Sequence, residues 1–229
     1  MSKTTSYILC IETANAVTSA AISKNGECLA VKEVLEPNKA ADKLHILIAD
    51  LLSAAGLSFA DLNAVAISAG PGSYTGLRIA TAAAKGYCFS LDIPLISIST
   101  LEAMVEGIQT RYNQLGFDEY VPMIDARRME VFTSFYTKEK ELLKAFTSLI
   151  LDDTFELLDK KRKYLIFGNG AEKTKELIKT DNISFITGFI PSAQDLCYMA
   201  YSRFLDSKFE NTAYFEPHYS KAFFFTLNK

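Results

Sequence analysis

Apolar and polar positions alternate along the first part of the chain in a pattern that predicts strands before helices. Three apolar runs come first, over residues 7–11, 16–23 and 27–35, and their length and residue types are typical of strands. Asn25-Gly26 separates the second run from the third, and this dipeptide favours a two-residue hairpin because both residues tolerate a positive φ. The chain is therefore predicted to begin with an antiparallel meander.

Helical periodicity begins at residue 40, where leucine and isoleucine recur three and four positions apart up to residue 52. This helix is predicted over 40–55, and Gly56 follows at a position typical of a C-terminal cap. A strand over 65–69, a helix over 77–89, a strand over 94–98 and a helix over 100–112 with Ser99 as its cap come next. This order predicts a mixed sheet with helices on its faces, the ribonuclease H-like order that recurs in actin-like and sugar-kinase ATPases.

The first two helices carry residues that an ordinary core does not explain. In the first helix, Ile46 and Ala49 lie away from the apolar stripe, so this flank is either deeply buried or meets another protein. The second helix is rich in alanine and holds Gly76 and Gly86, each of which costs about 1 kcal/mol relative to alanine inside a helix. Close packing against a neighbour explains such glycines, and that neighbour is either the first helix or a partner chain.

The rest of the chain continues the alternation of short strands and helices. Strands are predicted over 120–124, 130–137, 142–151 and 164–167, and helices over 154–159, 171–180 and 192–204. The basic cluster Lys160-Lys-Arg-Lys163 is interpreted as a solvated loop in preference to an RNA contact. Residues 213–227 are rich in aromatic side chains, so we expect part of this segment to pack on the body or on a partner.

Charge and cysteine usage narrow the class of protein. The formal net charge is -3 over 229 residues, so no basic field favours autonomous nucleic-acid binding. The first apolar run ends at Glu12 and is too short for a signal peptide or a membrane span. Four scattered cysteines predict reduced thiols in a cytoplasm: Cys10, Cys28, Cys88 and Cys197.

Only two histidines are present, and they limit the chemistry further. His45 and His218 cannot form a metal-binding helix of the His-x-x-x-His type, and they offer no basis for a histidine-based nucleophile triad. We expect His45 to be packed and hydrogen-bonded within its helix, and His218 to lie at a surface or turn. The sequence therefore predicts neither a metal site nor catalytic residues.

The candidate chemistry centres on a glycine turn between the strand over 65–69 and the helix that follows. A strand, a glycine turn and a helix can aim backbone N–H groups and a helix dipole at a phosphate. The glycine spacing fits neither a Walker loop nor a dinucleotide fingerprint. The alternative is a tight turn without a ligand, which the small-residue helix favours. The candidate phosphate contacts are Thr13, from the loop after the first strand, and Gly70, Gly72, Ser73, Thr75 and Gly76.

Five short motifs resemble the bacterial TsaB family, from about residue 7 to about residue 220. They are Ile8-Leu-Cys-Ile-Glu-Thr-Ala14, Gly70-Pro-Gly-Ser-Tyr-Thr-Gly-Leu-Arg78, Ile98-Ser-Thr-Leu-Glu102, Ile124-Asp-Ala-Arg127 and Glu216-Pro-x-Tyr219. The resemblance implies an α/β, two-lobed actin-like ATPase (ribonuclease H-like) fold with mixed sheets. It also implies a role in making threonylcarbamoyladenosine in tRNA.

TsaB proteins are similar to the catalytic subunit TsaD, and the resemblance implies that this chain is a non-catalytic paralogue. Two metal-binding histidines of TsaD align with Thr100 and Met104, whose side chains cannot replace imidazoles at an iron or zinc site. Two rival classes are a glycoprotease-like metallohydrolase and a sugar-kinase-like phosphotransferase. The second would need a catalytic carboxylate, for which Asp125 and Glu12 are the candidates; Asp125 is interpreted instead as a turn residue or an ion-pair partner of Arg127.

The resemblance further implies partners and a docking face. A TsaD-like subunit would bind the first two helices, a TsaE-like ATPase would join the complex, tRNA would be contacted indirectly, and the chain alone would form a self-dimer. No tightly bound cofactor is expected, and ATP or ADP is the candidate ligand of the partner interface. The protein is expected in the cytoplasm without membrane contact. The implied interface residues are Ala41, His45, Ile46, Ala49, Arg78, Thr81, Ala82 and Lys85.

A division of the chain also follows from the resemblance. We expect an N-terminal lobe over 1–104 that carries the partner-binding helices, a smaller lobe over 105–190, and a final helix and aromatic tail over 191–229 that pack back on the body. Two departures from the family pattern stand out. Ala40-Ala41 replaces the His-Ser of many relatives near the start of the first helix, and Glu12 replaces an aspartate.

Overall fold

The computed structural model describes residues 5–37, 39–151, 159, 161–178 and 180–219, with the side chain of Phe146 left out. The strands are β1 Tyr7–Glu12, β2 Thr18–Lys24, β3 Glu27–Val34, β4 Ala64–Ser68, β5 Leu95–Ile98, β6 Glu119–Asp125, β7 Glu130–Thr137, β8 Leu142–Ile150, β9 Tyr164–Phe167 and β10 Ile183–Ile186. The α-helices are α1 Ala40–Ala54, α2 Tyr74–Leu91, α3 Thr100–Thr110, α4 Ala171–Leu177 and α5 Cys197–Leu205. Short 3-10 helices cover Phe59–Asp61 and Ala193–Leu196.

The first sheet has the strand order β3-β2-β1-β4-β5, which confirms the predicted ribonuclease H-like order. The first three strands pair antiparallel, while β1, β4 and β5 run parallel. Asn25 and Gly26 have φ values of 52° and 93°, so the predicted hairpin turn is confirmed. Because the parallel strands end at the same edge, the loops after β1, β4 and β5 meet there.

Helices cover both faces of this first sheet. On one face, the apolar stripe of α1 and the small residues of α2 pack over Leu9, Ile11 and Ile67. On the other face, the 3-10 helix Ala193–Leu196 and α5 pack against Ile8 and Cys10. The last part of the described chain therefore packs back on the first sheet, although the boundaries at 104 and 190 stay predictions.

The second sheet has the order β10-β9-β6-β7-β8, with α3 packed on one face and α4 on the other. The strands predicted for this part are confirmed, but β10 was not predicted, because Ser184 interrupts its short apolar run, whereas the equally short β9 is continuously apolar. Helix α4 ends at Leu177, three residues before the predicted end. The helix predicted over 154–159 lies almost wholly outside the described residues, as do Lys160 and the tail beyond Tyr219.

Helix boundaries differ from the sequence predictions where capping decides them. The last helix was predicted as one α-helix from residue 192. Instead it begins as a 3-10 turn, where the Asp195 carboxylate accepts a 3.0 Å hydrogen bond from the Ser192 N–H, and it becomes α-helical at Cys197. Ser99 stands at the N-cap of α3, but its side chain makes no capping hydrogen bond. Ser99 therefore has the predicted position at the start of α3, but the predicted capping by its side chain was wrong.

A buried ion pair joins α3 to the 3-10 helix Ala193–Leu196. The Arg111 guanidinium donates to both carboxylate oxygens of Asp195, at 2.6 Å and 2.8 Å. A third hydrogen bond, of 2.7 Å, goes from the same guanidinium to the Ile190 carbonyl. The Asp195 side chain is fully buried, and its carboxylate occupies the space that a Cβ at Gly107 would need. This contact fixes α3, which packs on the second sheet, against the helices that cover the first.

Candidate partner-binding face and phosphate loops

The loop after β1 and the glycine loop after β4 are packed directly against each other. The Thr13 hydroxyl donates a 2.8 Å hydrogen bond to the Gly76 carbonyl, and the Ser73 N–H donates a 2.7 Å bond to the Ala14 carbonyl. A Cβ at Gly76 would overlap the Thr13 carbonyl oxygen, and one at Gly72 would overlap Ala14. The two glycines therefore serve this loop-to-loop contact.

The first N–H groups of α2 are also used within the chain. The Ser73 side chain caps α2 by accepting a 3.3 Å hydrogen bond from the Gly76 N–H, so the helix begins at Tyr74 and not at the predicted residue 77. Thr75 is exposed. The Gly76 N–H of α2 is thus taken up by the cap, and the N–H of the cap residue Ser73 by the Ala14 carbonyl.

The far side of the glycine loop is covered by the C-terminal part of the described chain. Gly70 has a φ of 103°, and its carbonyl accepts a 3.0 Å hydrogen bond from the Thr100 N–H. The neighbouring Ala69 carbonyl accepts a 2.7 Å bond from the His218 N–H, and the His218 carbonyl lies close to Gly70. The His218 side chain is exposed, as predicted. The turn thus ties β4 to α3 and to the tail.

Glu12 is the unusual group in this region, because a carboxyl group lies wholly inside the protein. Its Oε1 accepts a 2.5 Å hydrogen bond from the Ala14 N–H. Its Oε2 lies near the Ser68 hydroxyl, but neither atom has a well-formed hydrogen bond within the described residues. Burial raises the pKa of Glu12 to about 7, and Ser68 and Ala14 oppose that rise. Its inaccessibility does not suit a metal or nucleotide ligand.

Asp125, the other candidate carboxylate, has a structural role. Its Oδ1 accepts hydrogen bonds from the Arg127 backbone N–H at 2.7 Å and from the Lys173 ammonium at 2.5 Å. The interpretation as a turn residue agrees with this geometry, but the ion-pair partner is Lys173 of α4 and not the Arg127 side chain. Within the described ranges, no three His, Cys, Asp or Glu residues form a group suited to a metal ion.

The exposed surfaces of α1 and α2 form a groove between them with a volume of about 500 Å³. At one point the two helices are joined by a 2.7 Å hydrogen bond between His45 Nδ1 and the Tyr87 hydroxyl. His45 is therefore hydrogen-bonded as expected, and its ring lies 5.7 Å from that of Tyr87 between centroids, but the residue is exposed and not part of the core. The groove is lined by Ala41, His45, Ile79, Ala82, Ala83, Gly86, Tyr87 and Ser90.

Most of the interface residues named from the sequence are exposed on α1 or α2. Lys85 is half-buried and donates a 3.1 Å hydrogen bond to the Ala213 carbonyl. Thr81 is only 8% exposed, so the structure does not place it on the surface. The exposed members of the set are Ala41, His45, Ile46, Ala49, Arg78 and Ala82.

The largest apolar side chain on this surface was not singled out from the sequence. Phe89 of α2 is 87% exposed, and Ile46 of α1 is 58% exposed. The available signal was the spacing of Phe89, four residues beyond Lys85 on the same helix. The charges of α2 are Arg78 and Lys85, with no acidic residue, so the helix presents a cationic surface beside the groove.

Two TsaB proteins and one solved structure show what the chain is similar to. It is 32% identical over 199 residues to tRNA threonylcarbamoyladenosine biosynthesis protein TsaB of Buchnera aphidicola subsp. Acyrthosiphon pisum, covering 82% of this chain and 86% of that protein. It is 28% identical over 221 residues to the Escherichia coli K12 protein of the same name, covering 93% of each. The structure of YeaZ from Pseudomonas aeruginosa superposes with a TM-score of 0.80 at 24% identity, covering 93% of this chain and 99% of that one.

The strand order, the two sheets and the loops that meet at the end of β1 and β4 define a two-lobed protein of the actin-like ATPase fold. A family model described as TsaD, tRNA N6-adenosine threonylcarbamoyltransferase, matches residues 37–225. The chain belongs to the TsaB family, whose members are tRNA threonylcarbamoyladenosine biosynthesis proteins related to TsaD.

Proposed function

We propose that the chain is the non-catalytic subunit of a tRNA threonylcarbamoyladenosine-modifying complex, and that it binds and activates a TsaD-type threonylcarbamoyl transferase through α1 and α2. The groove between these helices, together with the exposed side chains of Ile46 and Phe89, carries this proposal. Exposed apolar surface that is contiguous with a groove is typical of a protein interaction site. Because the TsaD family model matches this chain across both helices, the partner has equivalent helices with which to pack.

The residues at the positions considered for catalysis support a non-catalytic role. Thr100 and Met104 stand where the resemblance aligns metal-binding histidines of TsaD, and both side chains are buried. Glu12 is sealed behind the loop contact, and Asp125 is held by Lys173. These contacts favour a docking subunit over a metallohydrolase or a phosphotransferase.

The finer assignments follow from family membership and are part of the same proposal. A TsaE-like ATPase joins the complex, tRNA is contacted indirectly, and the chain self-pairs through the same face when its partner is absent. The complex acts in the cytoplasm, as family membership implies. Across the described residues, no helix is long and apolar enough to cross a membrane. ATP or ADP is the candidate ligand of the seam with the partner.

Replacing Ile46 with glutamate is expected to weaken binding of the cognate TsaD-type subunit by roughly tenfold or more, since a charge would be buried in the interface. The melting temperature should change by less than about 2 °C, because the exposed side chain contributes little to the core. Isothermal titration calorimetry measures the affinity, and differential scanning calorimetry measures the melting temperature.

The matched control for this substitution is Leu205→Glu, which places the same charge at an exposed leucine at the end of α5. This variant should bind the partner as tightly as the unaltered chain. If the Ile46→Glu variant binds the partner as tightly as the unaltered chain does, α1 is not part of the docking face. A large fall in the melting temperature of the variant would show that Ile46 belongs to the core.

Adding millimolar ATP and Mg²⁺ to the chain alone is expected to raise its melting temperature by less than about 1 °C, because the phosphate loops are closed. A ligand at a hundred times its Kd would add about 2.7 kcal/mol, which is easily detected in a thermal-shift assay. The same assay on the chain mixed with the TsaD-type subunit is the control, which tests that the added ATP is able to bind. A clear stabilisation of the chain alone would contradict the closed-loop interpretation.

A further inference from the structure

Three of the four cysteines, although far apart in the sequence, lie in one layer of the fold between the first sheet and α5. Cys10 is on β1, Cys28 is on β3, and Cys197 is the first residue of α5. Cys10 and Cys197 belong to the same buried cluster, whereas Cys88 lies in the cluster on the opposite face of the sheet. All four are free thiols. The topology of the sheet therefore creates a group of thiols that the spacing in the sequence does not indicate.

The register of β2 and β3 places Cys28 beside the start of α5. Cys28 pairs with Ser23 of β2, so the two side chains lie on the same face of the sheet. On that face the Ser23 hydroxyl donates a 3.0 Å hydrogen bond to the Cys197 carbonyl. One turn further along α5, the Tyr201 ring packs 3.1 Å from the place of a Cβ on Gly26, in the turn before β3. The start of β3 therefore runs alongside the first turn of α5.

The Cys28 and Cys197 thiols are in direct side-chain contact. Cys28 is exposed and Cys197 is buried. Each thiol also donates a long hydrogen bond within its own segment, of 3.6 Å from Cys28 to the Ala30 carbonyl and of 3.9 Å from Cys197 to the Ala193 carbonyl. An accessible thiol beside a sheltered one is suited to a two-step oxidation, in which the first reacts with the oxidant and the second resolves the product.

We propose that Cys28 and Cys197 are a site of reversible disulfide formation, with a low-molecular-weight disulfide such as oxidised glutathione as the oxidant. The Cys28 thiolate attacks one sulfur of the oxidant, and a mixed disulfide forms as the first small thiolate leaves. The Cys197 thiolate then attacks the Cys28 sulfur and displaces the second small thiolate. The protons of the two protein thiols end on the two small thiols that are released, so the chain loses two electrons and the oxidant gains them.

The environment of both thiols determines the conditions under which this bond forms. The contact with Cys197, followed by burial, raises the pKa of Cys28. The contact with Cys10, together with burial, raises the pKa of Cys197, and the contact with Cys28 opposes that rise. Because only the thiolate attacks, the bond should form slowly at neutral pH and roughly a hundredfold faster at about pH 9 than at about pH 7.

The test is to incubate the full chain with oxidised glutathione at about pH 9 and to analyse it by mass spectrometry without reductant. The chain should lose two hydrogens, about 2 Da, and peptide mapping should place the bond between Cys28 and Cys197. The melting temperature should rise by roughly 5–15 °C and return on reduction, because most of the chain lies between the two cysteines. The exposed-site variant Cys28→Ser should show neither change. The control is Cys88→Ala, which should be oxidised like the unaltered chain, since this thiol lies on the other face of the sheet.

Three results would overturn the proposal. The first is a chain that stays fully reduced, and the second is a stable glutathione adduct on Cys28, because Cys197 then fails to reach the Cys28 sulfur. The third is a bond between Cys10 and Cys197 in place of the proposed pair. None of these results bears on the proposed function, because α5 and the groove between α1 and α2 lie on opposite faces of the first sheet.

Discussion

Replacing Arg111 with methionine is expected to lower the free energy of unfolding by about 3–5 kcal/mol at pH 8, the range found when one partner of a buried ion pair is removed. Methionine keeps the length and apolar stem of the side chain but leaves the fully buried Asp195 carboxylate without its guanidinium. The loss should be smaller at pH 5, because Asp195 can then take up a proton. Urea unfolding at the two pH values measures the difference.

The pH dependence of the Arg111→Met effect follows from the environment of Asp195. Burial raises the pKa of Asp195 to about 6, and the hydrogen bonds from Arg111 oppose that rise. Without Arg111 the pKa of Asp195 should rise further. The free energy of unfolding of the variant should therefore fall as the pH rises through this higher pKa. Lys208→Met, at the exposed pair with Asp206, is the control and should change stability by less than about 0.5 kcal/mol. A loss below about 1 kcal/mol for Arg111→Met would show that the ion pair does not hold α3 in place.

Replacing Glu12 with glutamine is expected to change how the stability of the chain depends on pH. The free energy of unfolding of the variant, relative to that of the unaltered protein, should rise by roughly 2–3 kcal/mol between pH 5 and pH 8. The pKa of Glu12 is raised from 4.5 in the unfolded chain to about 7 in the folded one. The stability that the protonated carboxyl contributes is therefore complete below pH 4.5 and is lost as the pH rises through 7. Glutamine stays neutral at both pH values, and it can accept the Ala14 hydrogen bond and donate to Ser68.

Urea unfolding of the Glu12→Gln variant and the unaltered protein at several pH values tests this expectation. The difference between the two should grow between pH 5 and pH 8. Glu27→Gln, at an exposed position on β3, is the control and should follow the profile of the unaltered protein. Parallel profiles for Glu12→Gln would mean that the Glu12 carboxyl is ionised across this pH range, despite its burial.

The sequence predicted those features that depend on local pattern. The stripe of α1, the Asn25-Gly26 hairpin and every strand of the two sheets except β10 show their period or their turn chemistry directly, so their positions agree with the structure. The boundaries it missed depend on contacts between neighbouring groups, such as the Ser73 cap that begins α2 at Tyr74. The ion pair of Asp125 with Lys173 joins residues that are far apart in the chain, and no local pattern indicates it.

The two glycines of α2 show where sequence reasoning about the candidate site stopped. Gly76 and Gly86 look alike in the sequence, since both interrupt a helix rich in alanine. Their roles differ because a carbonyl faces one and solvent faces the other. The same holds for Glu12: an acidic residue at the end of a strand is visible in the sequence, but its complete burial depends on the loops that close over it.

The closed contact between the loop after β1 and the glycine loop also limits how this lineage can change. A single substitution at Gly72 or Gly76 cannot be accommodated in place, since any added side chain would overlap Ala14 or the Thr13 carbonyl. A tolerated change would take coordinated changes in both loops, and the first of them would also displace the start of α2. Selection for the position of α2 therefore preserves the loop contact as well.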